Sequence, residues 1–130
     1  MTDHSGAHAA PQAVLTYFDA INTDRWDRLD DALAPDVVIS PPGMDEVHGL
    51  EAAKAHYAKL LANFPEHVDE PTRVLPSGDC VTVEIDFRGR TGDGRPVTFR
   101  AVDVFDLVDG RIARVSIWYD THGVRRQLIG

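Results

Sequence analysis

The stretch PVTFRAVDVFDLVDGRIARVSIWYD, residues 96–120, decides how the fold is read. Asp109-Gly110 stands between two β-rich runs. A two-residue type I′ turn needs φ > 0 at both central positions, which this pair tolerates, so the arms on either side are read as an antiparallel hairpin. In the first arm Val102, Val104 and Val108 oppose Phe99, Ala101, Phe105 and Leu107. A strand apolar on both sides needs cover on both faces. If helices cover one face, a second subunit covers the other, so a homodimer through the outer sheet face, at Val102 and Val104, is expected. Asp103 interrupts this apolar arm, and Trp118 and Asp120 close the second one.

Upstream, Thr91-Gly92-Asp93-Gly94 and Ser77-Gly78-Asp79 are turn sequences. Between them Val81, Val83, Ile85 and Phe87 alternate with Thr82, Glu84, Asp86 and Arg88, a strand with one buried face. A further strand runs from about Val68 to Leu75. In the first half of the chain, helical spacing of Val14, Tyr17, Phe18 and Ile21 predicts a helix over Pro11 to Asn22. Thr23 or Asp24 caps a second helix with the stripe Trp26, Leu29 and Leu33, ended by Pro35. Val37 to Ile39 is a short strand, and residues 41–48 form a loop. Gly49 to Phe64 is a third helix whose inner face is Leu50, Ala53, Tyr57, Leu60, Leu61 and Phe64. This order predicts an α+β fold: three helices of the N-terminal half on one face of a strongly curved, mainly antiparallel sheet, enclosing a conical pocket. Residues 1–10, with His4 and His8, are read as a disordered tail, and residues 11–130 as a single domain.

Composition narrows the function. The 130 residues are 43% hydrophobic, enough for a core, and carry 13 basic against 21 acidic side chains, a net charge of -8. That surface repels phosphate backbones, so nucleic acid is not an expected partner. Cys80 is the single cysteine, which excludes an internal disulfide, and no Cys/His spacing predicts a metal site. No apolar run approaches the roughly 20 residues of a membrane helix. No signal peptide is visible, so a cytoplasmic protein that needs no membrane is expected. No P-loop, dinucleotide fingerprint or nucleophile triad is present, which leaves chemistry without a cofactor.

Several short motifs then acquire meaning together. Tyr17-Phe18-Asp19-Ala20-Ile21-Asn22, Ala34-Pro35-Asp36-Val37, His48-Gly49-Leu50-Glu51-Ala52, Phe64-Pro65-Glu66, Asp109-Gly110-Arg111-Ile112, and Asp120 with Gln127-Leu128-Ile129-Gly130 occur in this order. In this the chain resembles the SnoaL-like polyketide cyclases. They belong to the nuclear transport factor 2-like superfamily, with ketosteroid isomerase and limonene epoxide hydrolase. The resemblance implies that Asp120 acts as acid/base, and that Tyr17 and Asp103 are similar to the tyrosine and protonated aspartic acid of the ketosteroid isomerase oxyanion hole. Pro41 stands where that isomerase carries its general base. Glu84-Ile85-Asp86 stands where limonene epoxide hydrolase carries an Arg-x-Asp.

The expected activity is proton transfer, as in cyclisation or isomerisation, on a hydrophobic carbonyl compound. Asp120 is the expected base, Asp103 and Tyr17 assist at the oxyanion, and Tyr57, Trp118, Phe105, Ala101 and Phe99 line the pocket. A carboxyl in an apolar strand is costly to ionise, so Asp103 is expected neutral and the deeper of the two aspartates. Glu84 and Asp86 are the reserve candidates for the base. Each feature has a plainer reading as well: Asp103 salt-bridged to Arg100 or Arg114, Asp120 capping Thr121-His122-Gly123, Trp118 in the core. The alternative functions are an epoxide hydrolase or epoxide-opening cyclase, and a non-catalytic ligand-binding or dimerisation module.

Overall fold

The structure is a computed structural model that describes residues 10–129; the expected tail, with His4 and His8, lies outside the described residues apart from Ala10. Helix α1 (Gln12–Thr23) forms where the apolar spacing places it and buries Val14, Tyr17, Phe18 and Ile21. The Pro11 carbonyl accepts the N–H groups of Val14 and Leu15. Asp24, in the left-handed region at φ 57°, ends the helix by donating its N–H to the Ala20 carbonyl.

The expected second helix is instead a 3-10 turn, Trp26–Asp31, with no side-chain cap. Leu33 does not extend its stripe but begins strand β1 (Leu33–Ser40), and Pro35 lies inside that strand. A proline is tolerated there because pairing with the neighbouring strand slips between Leu33 and Val38, so no ladder N–H is required at Pro35. Strand β2 is Val47–His48, and helix α2 (Leu50–Leu61) buries Ala53, Tyr57 and Leu61. Strands β3 (Glu66–Ser77), β4 (Cys80–Arg90), β5 (Pro96–Val108) and β6 (Arg111–Tyr119) follow. The chain then forms a third helix that the sequence reading did not place, α3 (Thr121–Ile129).

The six strands make one curved, unclosed sheet in the order β2-β1-β6-β5-β4-β3, antiparallel except for β1 beside β6. The α+β architecture with helices on a curved sheet is therefore as expected. What changes is the helix inventory: the N-terminal half supplies two α-helices and a 3-10 turn, and the chain end supplies another. The Asp109-Gly110 hairpin is as read, with φ of 52° and 78° at the two residues.

Two one-residue bulges set which side chains face the helices. Pro71 pairs with Ile85 but Arg73 with Glu84, so Thr72 is an extra residue in β3. Asp106 pairs with Arg114 but Leu107 with Ile112, so Ala113 is an extra residue in β6. Beyond each bulge the strand presents its opposite face.

Side-chain amides tie helices to strand edges. Asn22, at the end of α1, accepts the Asp69 N–H at 2.8 Å and donates to the Asp69 carbonyl at 2.9 Å, behaving as one residue of an added strand on the edge of β3. Gln127 of α3 does the same at Thr98, accepting its N–H at 2.9 Å and donating to its carbonyl at 2.7 Å. It occupies the side of β5 that β6 leaves when it stops at Tyr119, opposite Ala101. Asn22→Ala strands two backbone groups of β3, and an unpaired part-buried group costs about 1–3 kcal/mol. Denaturant unfolding should therefore show a loss of roughly that size, whereas an exposed α1 position such as Leu15→Ala should lie within about 0.5 kcal/mol of wild type.

Candidate active site

The inner rows of the sheet and the two long helices enclose a cavity of about 190 Å³. Its sheet wall runs Ile85 and Phe87 on β4, Phe99, Ala101 and Asp103 on β5, and Ile117 and Tyr119 on β6. Tyr17 and Ile21 come from α1, Tyr57 and Leu61 from α2, Asp69 from β3, and Val124 and Leu128 of α3 close one side. Phe87 stacks on Phe99 with centroids 4.5 Å apart, and Phe99 lies 4.8 Å from Tyr119, which makes one wall a continuous aromatic surface.

The polar groups of this apolar hollow are few. Asp103 is only 4% exposed, between Ala101 and Phe105 on the inner face of β5. Arg100 and Arg114, the partners weighed for it from sequence, bind elsewhere: Arg100 pairs with Asp86 at 3.6 Å and Arg114 pairs with Glu46. Desolvation, reinforced by Asp69, holds the Asp103 carboxyl well above the usual carboxylate range. The Tyr17 hydroxyl donates to that of Tyr57 at 2.8 Å, and burial raises both phenols, so both remain neutral. Because Tyr57 accepts from Tyr17, its own proton is free to be donated.

Asp69 is the second carboxyl of the cavity. Burial raises it to about 6, against the opposing pull of His67. Nothing in the sequence reading singled it out. Counted back from the Gly78-Asp79 turn in regular register, Glu70 falls opposite the inward Phe87. The extra residue at Thr72 puts Asp69 there instead.

Asp103, Tyr17, Tyr57, Ala101 and Phe99 thus meet in one cavity. Three expected members do not line it. Phe105 is fully buried beneath, in edge-to-face contact with Tyr17 at 5.0 Å. Trp118 is 60% exposed on the outer face, because the bulge at Ala113 pairs it with outward Val102 and turns Tyr119 inward. Asp120 is exposed, and its Oδ1 accepts the Gly123 N–H at 2.9 Å as the cap of α3. A Cβ on Gly123 would come within 2.7 Å of this carboxylate, so the glycine is part of the cap. The reserve candidates Glu84 and Asp86 share the outer groove with Trp118, and Glu84 is held by Arg73 at 3.0 Å.

Among the described residues, no group of three or more His, Cys, Asp or Glu side chains is placed to hold a metal ion. None of their helices is long and apolar enough to cross a membrane.

The family model for the SnoaL-like domain matches residues 14–115. The chain belongs to the SnoaL-like domain family. A candidate polyketide cyclase from Sinorhizobium meliloti is 31% identical to this SnoaL-like domain, with 86% of this chain and 98% of that one covered, at a TM-score of 0.74. An NTF2-like protein from Burkholderia pseudomallei shares the fold at a TM-score of 0.84, with 22% identity and coverage of 97% and 99%. An LEH-like epoxide hydrolase of M. tuberculosis shares it at 0.77, with 22% identity and coverage of 91% and 87%. No curated protein matches the sequence.

The buried acid gives this SnoaL-like domain a definite pH signature. Unfolded, Asp103 loses its proton near its ordinary value of 3.8; folded, it keeps the proton to much higher pH. The folded state then binds more protons, so stability falls as pH rises through that interval, by about 1.4 kcal/mol per unit. Asparagine does not ionise in either state. Asp103→Asn should therefore gain on wild type progressively above about pH 4, and equal gains at all pH values in denaturant melts would refute a neutral Asp103.

Proposed function

We propose that this protein is a cofactor-free enzyme that moves a proton on a small hydrophobic carbonyl compound, in an isomerisation or an aldol-type cyclisation. The observation that carries the proposal is the pairing, within one aromatic-walled cavity, of a carboxyl that burial holds neutral, Asp103, with one raised only to about 6, Asp69. A general base works best with a pKa near the working pH, and a neutral acid beside a phenol is a donor set for an oxyanion. Asp69 takes the proton α to the carbonyl, while the Asp103 carboxyl and the Tyr57 hydroxyl donate to the carbonyl oxygen as it gains charge. Tyr17 supports Tyr57 through their hydrogen bond. The enolate then takes that proton back from Asp69 at another carbon, or attacks a second carbonyl to close a ring, the new alkoxide taking the proton back from Asp69 and the first carbonyl re-forming.

Cavity size bears on the substrate. About 190 Å³ is below the roughly 300–1,000 Å³ of sites for drug-sized ligands, which favours a molecule of one or two rings. The family membership and the Sinorhizobium meliloti relative support the cyclase side of the proposal. Epoxide opening is less favoured, since among the described residues no arginine or lysine lines the cavity.

Exchange of the α-protons of β-tetralone in deuterated water, followed by NMR, tests the chemistry without the natural substrate. Asp69→Asn should lose about 10²–10⁴ of the accelerated rate. Asp120→Asn should exchange like wild type, since its carboxylate caps α3. The reverse result would return the base to Asp120.

We also propose that the outer sheet face joins two copies of the chain. On that face exposed Trp118 pairs with half-buried Val102, Val104 follows two residues along β5, and Thr82 links Val104 to exposed Leu75. Wild type should sediment as a dimer at micromolar concentration and Trp118→Glu as a monomer; a monomeric wild type would refute the interface.

A further inference from the structure

We propose that His67 is a positioning residue: an imidazolium locked between two carbonyls and the Asp24 carboxylate, which makes Asp69, rather than Asp103, the ionised member of the carboxyl pair. The inference rests on the assignment of Asp69 and Asp103 given above and adds what sets their roles.

The ring is enclosed, with 4% of its side chain exposed. Nδ1 lies 2.8 Å from the Phe64 carbonyl, and Nε2 lies 2.9 Å from the Ile21 carbonyl and 2.9 Å from Asp24 Oδ1. A carbonyl only accepts. A neutral imidazole has one N–H, so it would turn a bare nitrogen lone pair toward one of the two carbonyls. The ring satisfies both only when both nitrogens are protonated. Desolvation works against that charge, but the hydrogen bonds to Phe64 and Ile21, with Asp24 and Asp69 nearby, outweigh it and raise the imidazole above its ordinary value. Asp24 at the end of α1 and Asp69 on β3 are the charged groups that bear on it; the β4 residue opposite is Gly89, which carries none.

His67 and Asp69 are two residues apart in β3, hence on one face and about 7 Å apart along the strand. Asn22 fixes the Asp69 backbone from the same end of α1 whose Ile21 carbonyl His67 holds. The base and its counter-charge are thus mounted on one joint between α1 and β3. Among the described residues, no such cation bears on Asp103. Its charged neighbour is Asp69, and an ionised Asp69 drives it further toward the protonated form. Without His67 the two carboxyls would differ only in depth.

The test reads protonation directly. In the wild-type protein, ¹⁵N NMR of the His67 ring near neutral pH should show both nitrogens protonated. A single neutral tautomer would overturn the proposal, and this measurement needs no variant to fold. Carboxyl ¹³C titration should then show the Asp69 midpoint moved upward in His67→Gln, and the acid limb of the β-tetralone exchange profile should move with it. An Asp69 midpoint that is unchanged or lower in the folded variant would overturn the proposal. Asp24→Asn, which suits the left-handed turn, should lower the His67 midpoint; no change would count against the carboxylate's part. The NMR titrations involve no substrate, so failure of the exchange chemistry in wild type is distinguishable from failure of the charge assignment.

Discussion

Successive side chains of a β-strand point to opposite faces, so a single extra residue exchanges the two faces of everything beyond it. This chain makes that exchange at Thr72 in β3 and at Ala113 in β6. The first step turns Asp69 inward and Glu70 out to an exposed pair with Arg88 at 2.8 Å. The second turns Tyr119 inward and leaves Trp118 to the outer face. Without them the cavity would hold a different carboxyl and a different aromatic ring. The local bending that accompanies bulges also suits a sheet that must curve around α1 and α2.

Within that frame, depth and neighbours sort the titratable groups. Asp103 lies among apolar residues with Asp69 as its charged neighbour, and both effects favour its neutral form. Asp69 is half-buried and has His67 nearby, so it remains within reach of ionisation. Two identical side chains acquire different protonation preferences from their surroundings, the kind of division on which acid/base sites commonly rely. Holding Asp103 there lowers stability at neutral pH, because the unfolded chain releases a proton that the folded chain keeps.

Much of this was legible in the chain. The period of α1, the alternation in β4 and the Asp109-Gly110 turn each follow from local chemistry, and together they define the α+β class. The inward placement of Tyr17, Tyr57 and Asp103 is legible because helical spacing and the inner parity of β5 are regular where those residues sit. The errors cluster where local rules are interrupted. A bulge leaves no reliable mark in sequence, so regular alternation points Trp118 inward and Asp69 outward. Pro35 reads locally as a helix stop, although a slip in strand pairing accommodates it in β1. Helix α3 leaves little mark in the sequence because it buries no side chain fully: Val124 is only half-buried, and polar bonds to groups far from it in sequence, Thr98 and Arg95, hold it in place.

That last attachment has a kinetic meaning. A helix with no buried side chain and a handful of hydrogen bonds detaches at far lower free energy than a core strand unfolds, so its amides should exchange by local opening. Yet Val124 and Leu128 of this helix form one side of the cavity. Fraying of the chain end therefore uncovers the site while the sheet, the tyrosine pair and both carboxyls stay in place. Local opening of this one short helix, tied to the edge of β5 by the Gln127 amide and by Arg95, is then a way for the cavity to exchange its contents with solvent while the core stays folded.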